Sequence, residues 1–120
     1  MPKFMLILSS RPGVLQALSP EELQRKMEKY HSWADKLRAN GRYVSGEKLG
    51  DDGGRILAQK GGRLSIVDGP FADAKEVVGG FMLLRAASYD EALDLTRDCP
   101  MLEEYTLTIR ETDPSGCGGD

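Results

Sequence analysis

The apolar run VVGGFMLLRAA, residues 77–87, constrains the fold of this chain more than any other stretch. Its apolar side chains occupy both phases of a two-residue repeat, whereas a strand with one wet face alternates between apolar and polar residues. The run therefore predicts a central strand that is covered on both faces. Helices of the same chain can cover one of these faces, and the other face then needs a partner, which predicts a dimer.

The segment SPEELQRKMEKYHSWADKLRANG, residues 19–41, predicts a long helix that covers one face. Ser19 and Glu22 form the pattern of a capping box, and Pro20 takes the first helical position. Gly41 stands where the end of a helix favours positive φ. A single apolar stripe, at spacings of three and four, is formed by Leu23, Met27, Tyr30, Ala34 and Leu37.

Short β segments make up most of the remaining chain. KFMLIL predicts a buried first strand, and RYVSGEKL predicts a second. RILAQ and RLSIV, bounded by GDDGG and KGG, predict a hairpin with glycines at its turns. SYDEALDLTRDCP predicts a second helix with Ser88 and Glu91 as a capping box and Pro100 as its end, and YTLTIRE predicts a half-buried strand. This order of elements predicts a ferredoxin-like α+β fold, with a mostly antiparallel sheet and two helices on one face.

Composition limits the kinds of partner that this chain can have. Its 120 residues fit one domain, and its net charge of −3 comes without any basic block that could bind nucleic acid. The apolar run Phe4–Leu8 is too short for a signal peptide, and no stretch is long enough to span a membrane. We therefore expect a cytoplasmic protein with no nucleic-acid or membrane partner. The glycine-rich residues 113–120 predict a flexible tail, so a disulfide between Cys99 and Cys117 is not expected.

The stretch DGPFADAKE, residues 68–76, allows two interpretations. As a turn, Asp68, Gly69 and Pro70 form a stiff connection, with Phe71 packed beneath it. As a site, Asp68 lies at the rim of a pocket beside Lys75 and Glu76. A carboxylate next to a cation and a second carboxylate can be tuned for acid–base chemistry.

His31 and Trp33 flank the apolar stripe of the first helix on opposite sides. Such boundary positions usually hold half-packed residues, but they can also line a cleft between helix and sheet. In a cleft, His31 is a candidate base. One histidine and two separated cysteines give no zinc spacing, and the glycine pairs match no phosphate loop or dinucleotide fingerprint. No metal and no cofactor are predicted.

DGPFADAKEVVGGFMLL, together with GRYVSGEKL before it and SYDEALDLTRDCP after it, resembles the DGPF family within the YCII-related group. The resemblance runs from about Phe4 to Arg110, and it implies one domain over residues 1–112. It also implies a dimeric α+β barrel, in which the open faces of two sheets pair as a homodimer. Its most specific matches are Asp68, Gly69, Pro70, Phe71, Lys75, Glu76, Gly79 and Gly80.

Members of the wider group are proposed to use a histidine on the first helix together with an aspartate. That histidine position falls at Tyr30 here, one residue before His31, and the aspartate position is closer to Asp98 than to Asp68.

Three functions follow as hypotheses. The first is an acid–base enzyme of the lyase or isomerase kind acting on an unknown small molecule. In it, Asp68 and His31 are catalytic, and Gly69, Pro70, Phe71, Lys75, Glu76 and Trp33 bind the ligand. The second is a ligand-binding or sensing dimer without catalysis. The third, which rests on the resemblance alone, is a protein partner in a regulatory circuit linked to sigma factors.

Overall fold

The structure is a computed structural model that describes residues 1–69 and 75–115. Its helices are α1 (Pro20–Ala39) and α2 (Tyr89–Thr96), with a short 3-10 turn at Pro100–Glu103. Its strands are β1 (Lys3–Ser10), β2 (Tyr43–Lys48), β3 (Arg55–Lys60), β4 (Arg63–Asp68), β5 (Val77–Arg85) and β6 (Thr106–Glu111).

Four of the strands form one antiparallel sheet in the order β2-β5-β1-β6, and β3 and β4 form a separate two-stranded sheet. With both helices, the larger sheet has the element order and pairing of the ferredoxin-like α+β fold. The predicted fold class is confirmed. The hairpin is an insertion between the second and third strands of that sheet.

The central position of β5 is confirmed, because β2 pairs with one of its edges and β1 with the other. Met82 and Leu84 of β5 are buried on the face that the helices cover. They lie opposite Leu6 and Phe4 of β1, which are also buried. The large apolar side chains on this face form the core against α1 and α2.

The other face of the sheet carries a second apolar set. Met5 pairs with Leu83, and Ile7 pairs with Phe81 across the β1–β5 ladder. All four of these residues are half-buried in the single chain. This open face therefore presents a continuous apolar strip, and neither of the two described helices packs on it.

The predicted beginning and end of α1 are confirmed. The Ser19 hydroxyl accepts from the backbone N–H of Glu22 at 3.2 Å, and the Glu22 carboxylate accepts from the backbone N–H of Ser19 at 3.2 Å. At the other end Gly41 has φ of 71°. The left-handed conformation of Gly41 lets the chain turn away after the end of α1 at Ala39 without strain.

The second capping box forms only in part. The Ser88 hydroxyl accepts from the backbone N–H of Glu91 at 3.2 Å, as expected. The Glu91 carboxylate does not return to Ser88, because it accepts from the Ala87 N–H at 2.7 Å and from the Arg42 guanidinium at 2.6 Å. An ion pair with β2's flanking arginine therefore replaces half of the capping box.

The second helix is shorter than its sequence pattern predicts. It ends at Thr96, whereas Pro100 was expected to end it. The Thr96 hydroxyl donates to the Ala92 carbonyl at 2.9 Å, and this contact takes up a carbonyl of the last helical turn. Pro100 begins the 3-10 turn instead, in the first position that proline favours.

The hairpin of β3 and β4 has the predicted glycine turn. Gly61 and Gly62 have φ of 56° and 78°, as a two-residue turn with both central residues at positive φ requires. The radius of gyration of the chain is 16.4 Å, whereas a compact domain of this length has about 14 Å. The hairpin thus extends the molecule rather than adding to its core. Within the described ranges, no helix has both the length and the apolar character that crossing a membrane requires.

Candidate functional site

A cavity of about 240 Å³ lies between α1 and the β2–β5 side of the sheet. It is on the face that the helices cover. The helix contributes Met27, Tyr30, His31, Ala34 and Arg38 to its wall; the strands contribute Leu8, Tyr43, Gly46, Glu47, Lys48 and Gly79–Met82; Met101 and Tyr105 complete it.

Three glycines border this cavity, and each is required by a close approach. A β-carbon at Gly46 would lie 2.9 Å from the Tyr43 hydroxyl, and one at Gly80 would lie 2.9 Å from the Glu47 carbonyl oxygen. A β-carbon at Gly79 would lie 2.9 Å from Cε1 of Tyr105. Such separations are shorter than real carbon contacts allow. The glycines thus leave room both for the aromatic rings and for the cavity itself.

The Tyr30 hydroxyl, at the wall of the cavity, is held by Glu104. It donates to Oε1 of that carboxylate at 2.5 Å. Burial, together with this hydrogen bond, raises the pKa of Tyr30 far above its ordinary value. Burial also raises the pKa of Tyr105. Both phenols are therefore neutral at physiological pH, and they can offer an oxygen to a ligand without acting as bases.

Glu104 is held from its other side by Lys26. The Lys26 ammonium lies 2.5 Å from Oε2 of Glu104 and 3.1 Å from Oε1 of Glu103. The hydrogen bond with Glu104 raises the pKa of Lys26. The Glu104 carboxylate thus links the Lys26 ammonium to the Tyr30 hydroxyl. Lys26 fixes Glu104, and Glu104 in turn fixes Tyr30 at the cavity wall.

Cationic side chains stand around the cavity. The guanidinium of Arg38 lies 4.3 Å from the ring centre of Tyr43, and it also pairs with Asp35 at 2.6 Å. The ammonium of Lys48 is 3.8 Å from Asp51. His31 is exposed beside them at the cavity wall. This arrangement suits a ligand that is flat, partly apolar and anionic.

The structure places Asp68 away from this cavity, at the end of β4. Its carboxylate pairs with Arg55 at 3.3 Å, and its side chain is 86% exposed. Lys75 and Glu76 are exposed as well. None of the three borders the cavity of its own chain among the described residues. Their catalytic and ligand-binding roles stay predictions.

The turn chemistry of Gly69 is clear. Its backbone N–H donates to the Gly54 carbonyl at 3.0 Å, and a β-carbon there would lie 1.8 Å from the Gly53 oxygen. A residue with any side chain would therefore displace the base of the hairpin. The predicted roles of Pro70 and Phe71 fall outside the described residues.

His31 and Trp33 lie on different sides of α1. Trp33 is buried, and its indole N–H donates to Oδ1 of Asp98 at 3.3 Å. It borders a separate shallow groove with Arg25, Lys29 and Lys36. The structure thus brings His31 together with Tyr30, and it separates both from Trp33 and Asp98.

Sequence reasoning did not identify Gly46, Tyr43 and Tyr105 as site residues. A glycine inside a predicted strand often marks a close approach, so Gly46 carried a usable signal. Tyr105 begins the segment YTLTIRE that predicts the last strand; in the structure it lies just before β6 and is buried. Its contact with Gly79 depends on the fold and has no signal in the sequence.

Within the described parts of the chain, no three His, Cys, Asp or Glu side chains cluster as metal ligands would. The cavity is instead a site of aromatic rings, a histidine and cations. Comparison with known proteins agrees with the fold. The profile of the YCII-related domain matches residues 2–112, and the chain belongs to the YCII-related family.

Two further similarities are informative. The chain is 37% identical over 93 residues to an uncharacterized protein of Rhizobium meliloti, covering 72% of this chain and 70% of that one. Its fold is similar to that of 5-chloro-2-hydroxyhydroquinone dehydrochlorinase from Burkholderia phenoliruptrix, solved in complex with 2,5-dihydroxybenzoquinone. That match has a TM-score of 0.55 and 18% identity, and it covers 92% of this chain and 93% of the other. At that identity, the likeness shows a shared fold.

Proposed function

We propose that this protein is a small-molecule enzyme of the acid–base kind, lyase-like or isomerase-like, and that its site is the cavity between α1 and the sheet. The observation that carries this proposal is the cavity's wall. Three glycines leave it open beside aromatic rings, and His31 stands at it next to a fixed neutral phenol. Such a wall combines an apolar body with a few placed polar groups, as ligand sites do.

The cavity fits a ligand of about one ring. Its volume of about 240 Å³ lies below the roughly 300–1,000 Å³ of pockets for drug-sized ligands. Aromatic walls favour a flat ring, and Arg38 and Lys48 favour a negative charge on it. The structurally similar dehydrochlorinase has a hydroxyhydroquinone in its name and a dihydroxybenzoquinone in its structure. We therefore propose a phenolic or enolic ring compound as the substrate class.

In this proposal His31 moves the proton. In an isomerisation, His31 takes a proton from a ring carbon or hydroxyl and returns it at another position. In an elimination, His31 takes the proton, the electrons of the broken C–H or O–H bond form a double bond, and the leaving group departs with the electron pair of its own bond. Tyr30 keeps its proton in this proposal, because burial and the hydrogen bond to Glu104 raise its pKa. It positions the ligand through its oxygen. Asp68 is the candidate orienting carboxylate, and Lys75 is a candidate for holding an anionic group. Neither residue lines the cavity of its own chain, so both would have to reach a ligand from elsewhere.

We also propose a homodimer through the open sheet face. Met5, Ile7, Phe81 and Leu83 form an apolar strip there, and both helices pack on the opposite face. A second copy of the same sheet would remove this strip from water. A specific interface of this kind buries on the order of 1,200–2,000 Å² in total.

The role of His31 is tested by His31→Gln, with Lys29→Gln as a matched control on the same helix. Lys29 is exposed and borders the separate groove. Against a panel of hydroxylated benzoquinones and chlorinated phenols, His31→Gln should retain binding and lose turnover by about 100-fold or more. The control should behave as the wild type. Equal turnover by the two variants would remove His31 from the mechanism.

A ligand-binding dimer without catalysis is the second candidate. It uses the same cavity, in which the neutral phenols of Tyr30 and Tyr105 can offer oxygens to a ligand without taking up a proton. In that case the panel would show binding in the cavity with no chemical change in any compound. His31→Gln would then alter affinity alone.

A further inference from the structure

The hairpin Arg55–Asp68, which we call the arm, carries exposed apolar side chains outside the core. Leu57 pairs with Ile66, and Gln59 pairs with Leu64, so the three large apolar residues share one face. They are 66%, 64% and 64% exposed for Leu57, Ile66 and Leu64 respectively. A contiguous patch of exposed apolar side chains is typical of a surface that binds another molecule.

The opposite face of the arm is also apolar. Ile56 pairs with Val67 there, and the two are 45% and 50% exposed. A hairpin of only two strands is marginally stable in water by itself. The arm therefore needs a surface on which its apolar face can pack, and its own chain leaves most of that face uncovered.

Arg55 and Asp68 of the arm pair with each other, whereas the two charges at its tip lack partners in the part of the chain that the structure describes. Lys60 lies directly opposite Arg63 at the tip, and like charges in that position repel. Neither forms an ion pair within the described residues. The arm has Arg55, Lys60 and Arg63 against Asp68 alone, a net charge of +2, so the rest of the chain, whose total is −3, has −5. A surface that receives the arm should be acidic, and the body of this protein is.

We propose that the arm packs on the body, meaning the rest of the chain, of a second copy of this protein, and that each protomer of the dimer contributes its arm to the other in the same way. The proposal rests on the homodimer proposed above and extends its interface. Burial of about 90 Å² on each of the three apolar side chains of one face, counted on both arms and on the surfaces they cover, gives roughly 1,100 Å², which adds to the sheet-face contact of a specific dimer. The occupant of the arm's apolar face is thus the second protomer.

The first test removes the apolar face and keeps the hairpin. The triple variant Leu57→Thr, Leu64→Thr, Ile66→Thr retains residues that favour strands. Its control is Leu93→Gln with Leu102→Gln, which removes exposed apolar side chains outside the arm; these two leucines are 44% and 47% exposed. In sedimentation velocity the triple variant should have a dimer Kd raised by about 100-fold. The control should stay within about threefold of the wild type.

The second test locates the arm. Carbodiimide joins ammonium groups to carboxylates in contact, so a mixture of isotopically light and heavy protein should give a mixed cross-link between Lys60 and an acidic residue. Hydrogen exchange of amides in residues 55–68 should be slow in the wild-type dimer and fast in the triple variant. Lys60→Gln is the control, and it should abolish that cross-link while leaving the exchange pattern slow.

The outcomes separate this proposal from the function proposed above. A wild-type dimer whose Kd is unchanged in the triple variant would overturn the arm proposal and leave the sheet-face dimer in place. Cross-links from Lys60 within one chain alone, or fast exchange of the arm in the wild-type dimer, would also overturn it. A wild-type monomer at micromolar concentration would overturn both dimer proposals. Ligand binding in the cavity, which no arm residue borders, is measured separately.

Discussion

Gly79 lies beneath the ring of Tyr105 so closely that a β-carbon would stand 2.9 Å from Cε1 of that ring. Tyr105 is buried, so its ring has little room to move away. The pair therefore fixes one wall of the cavity through a contact that only glycine permits.

Gly79→Ala should move the Tyr105 ring and narrow the cavity. We expect it to lower the free energy of unfolding by about 1–3 kcal/mol, the usual cost of overpacking, and to weaken ligand binding. The measurement is urea unfolding beside ligand titration. Gly50→Ala is the control, because a β-carbon at Gly50 has no neighbour within 4 Å. Equal stability of the two variants would show that the Tyr105 ring moves to make room for the added methyl group at no cost in stability.

Tyr30→Phe should destabilise the protein, because it removes the hydrogen bond to Glu104. The variant keeps the ring and removes the hydroxyl that donates to Glu104 at 2.5 Å. Loss of a hydrogen bond to a charged group costs about 1.5–3 kcal/mol, reduced here because Lys26 still holds the carboxylate. Thermal and urea unfolding measure the loss.

A double-mutant cycle with Glu104→Gln isolates that contact. If the hydroxyl and the carboxylate act as a pair, the double variant should lose less stability than the sum of the two single variants. Additive losses would mean that Tyr30 is held by packing alone. Ligand affinity measured on the same four proteins shows whether this contact positions the ligand.

Asp68→Asn separates the charge of the DGPF turn from its geometry. Asparagine makes the same local hydrogen bonds, and the ion pair with Arg55 is exposed, so stability should change by less than about 0.5 kcal/mol. If Asp68 serves a site, binding or turnover of a cavity ligand should fall while the fold persists. Unchanged binding, turnover and stability would leave this stretch as a turn.

Cys99 should react slowly below pH 9 and faster as its thiol ionises. It is buried, and burial raises its pKa from 9.0 to about 11. At pH 8 its thiolate fraction is then about 100-fold lower than in the unfolded chain. The buried neutral thiol also contributes to the stability of the fold. Because the pKa of Cys99 is higher in the folded chain than in the unfolded chain, this contribution is fully present below pH 9 and is lost as the pH rises through about 11.

The measurement is the rate of alkylation by iodoacetamide in a Cys117→Ser background, which leaves one thiol. The same protein in urea supplies the reference rate. Folded and unfolded chains that react equally fast at pH 8 would contradict the burial of Cys99.

Much of the fold could be predicted from local chemistry. Ser19, Glu22 and Gly41 fix the ends of α1 through contacts within a few residues, and these contacts are visible in the sequence. The central place of β5 followed from apolar residues in both phases. The capping box at the start of α2 could not be predicted in full in the same way, because Arg42, about 50 positions away, takes the carboxylate of Glu91.

The candidate site was predictable only where one element carried it. His31 was recognised from its place on a helix. The cavity's other polar feature joins Tyr30 to Glu104 across 74 positions, and no local pattern indicates such a contact. Gly79 was recognised as part of a motif, but its physical reason is the ring of Tyr105, which the fold places against β5 from a position just before β6.

A nuclear magnetic resonance titration can detect binding of a ring compound in the cavity residue by residue. Backbone amide shifts of 15N-labelled protein would be followed as 2,5-dihydroxybenzoquinone is added, with His31→Gln and Gly79→Ala as companions. We expect saturable shifts centred on Gly46, Gly79 and Gly80, which border the cavity, and weaker binding by Gly79→Ala. Shifts confined to the arm or to the groove beside Trp33, or no shifts at millimolar ligand and with the phenol panel, would contradict this expectation.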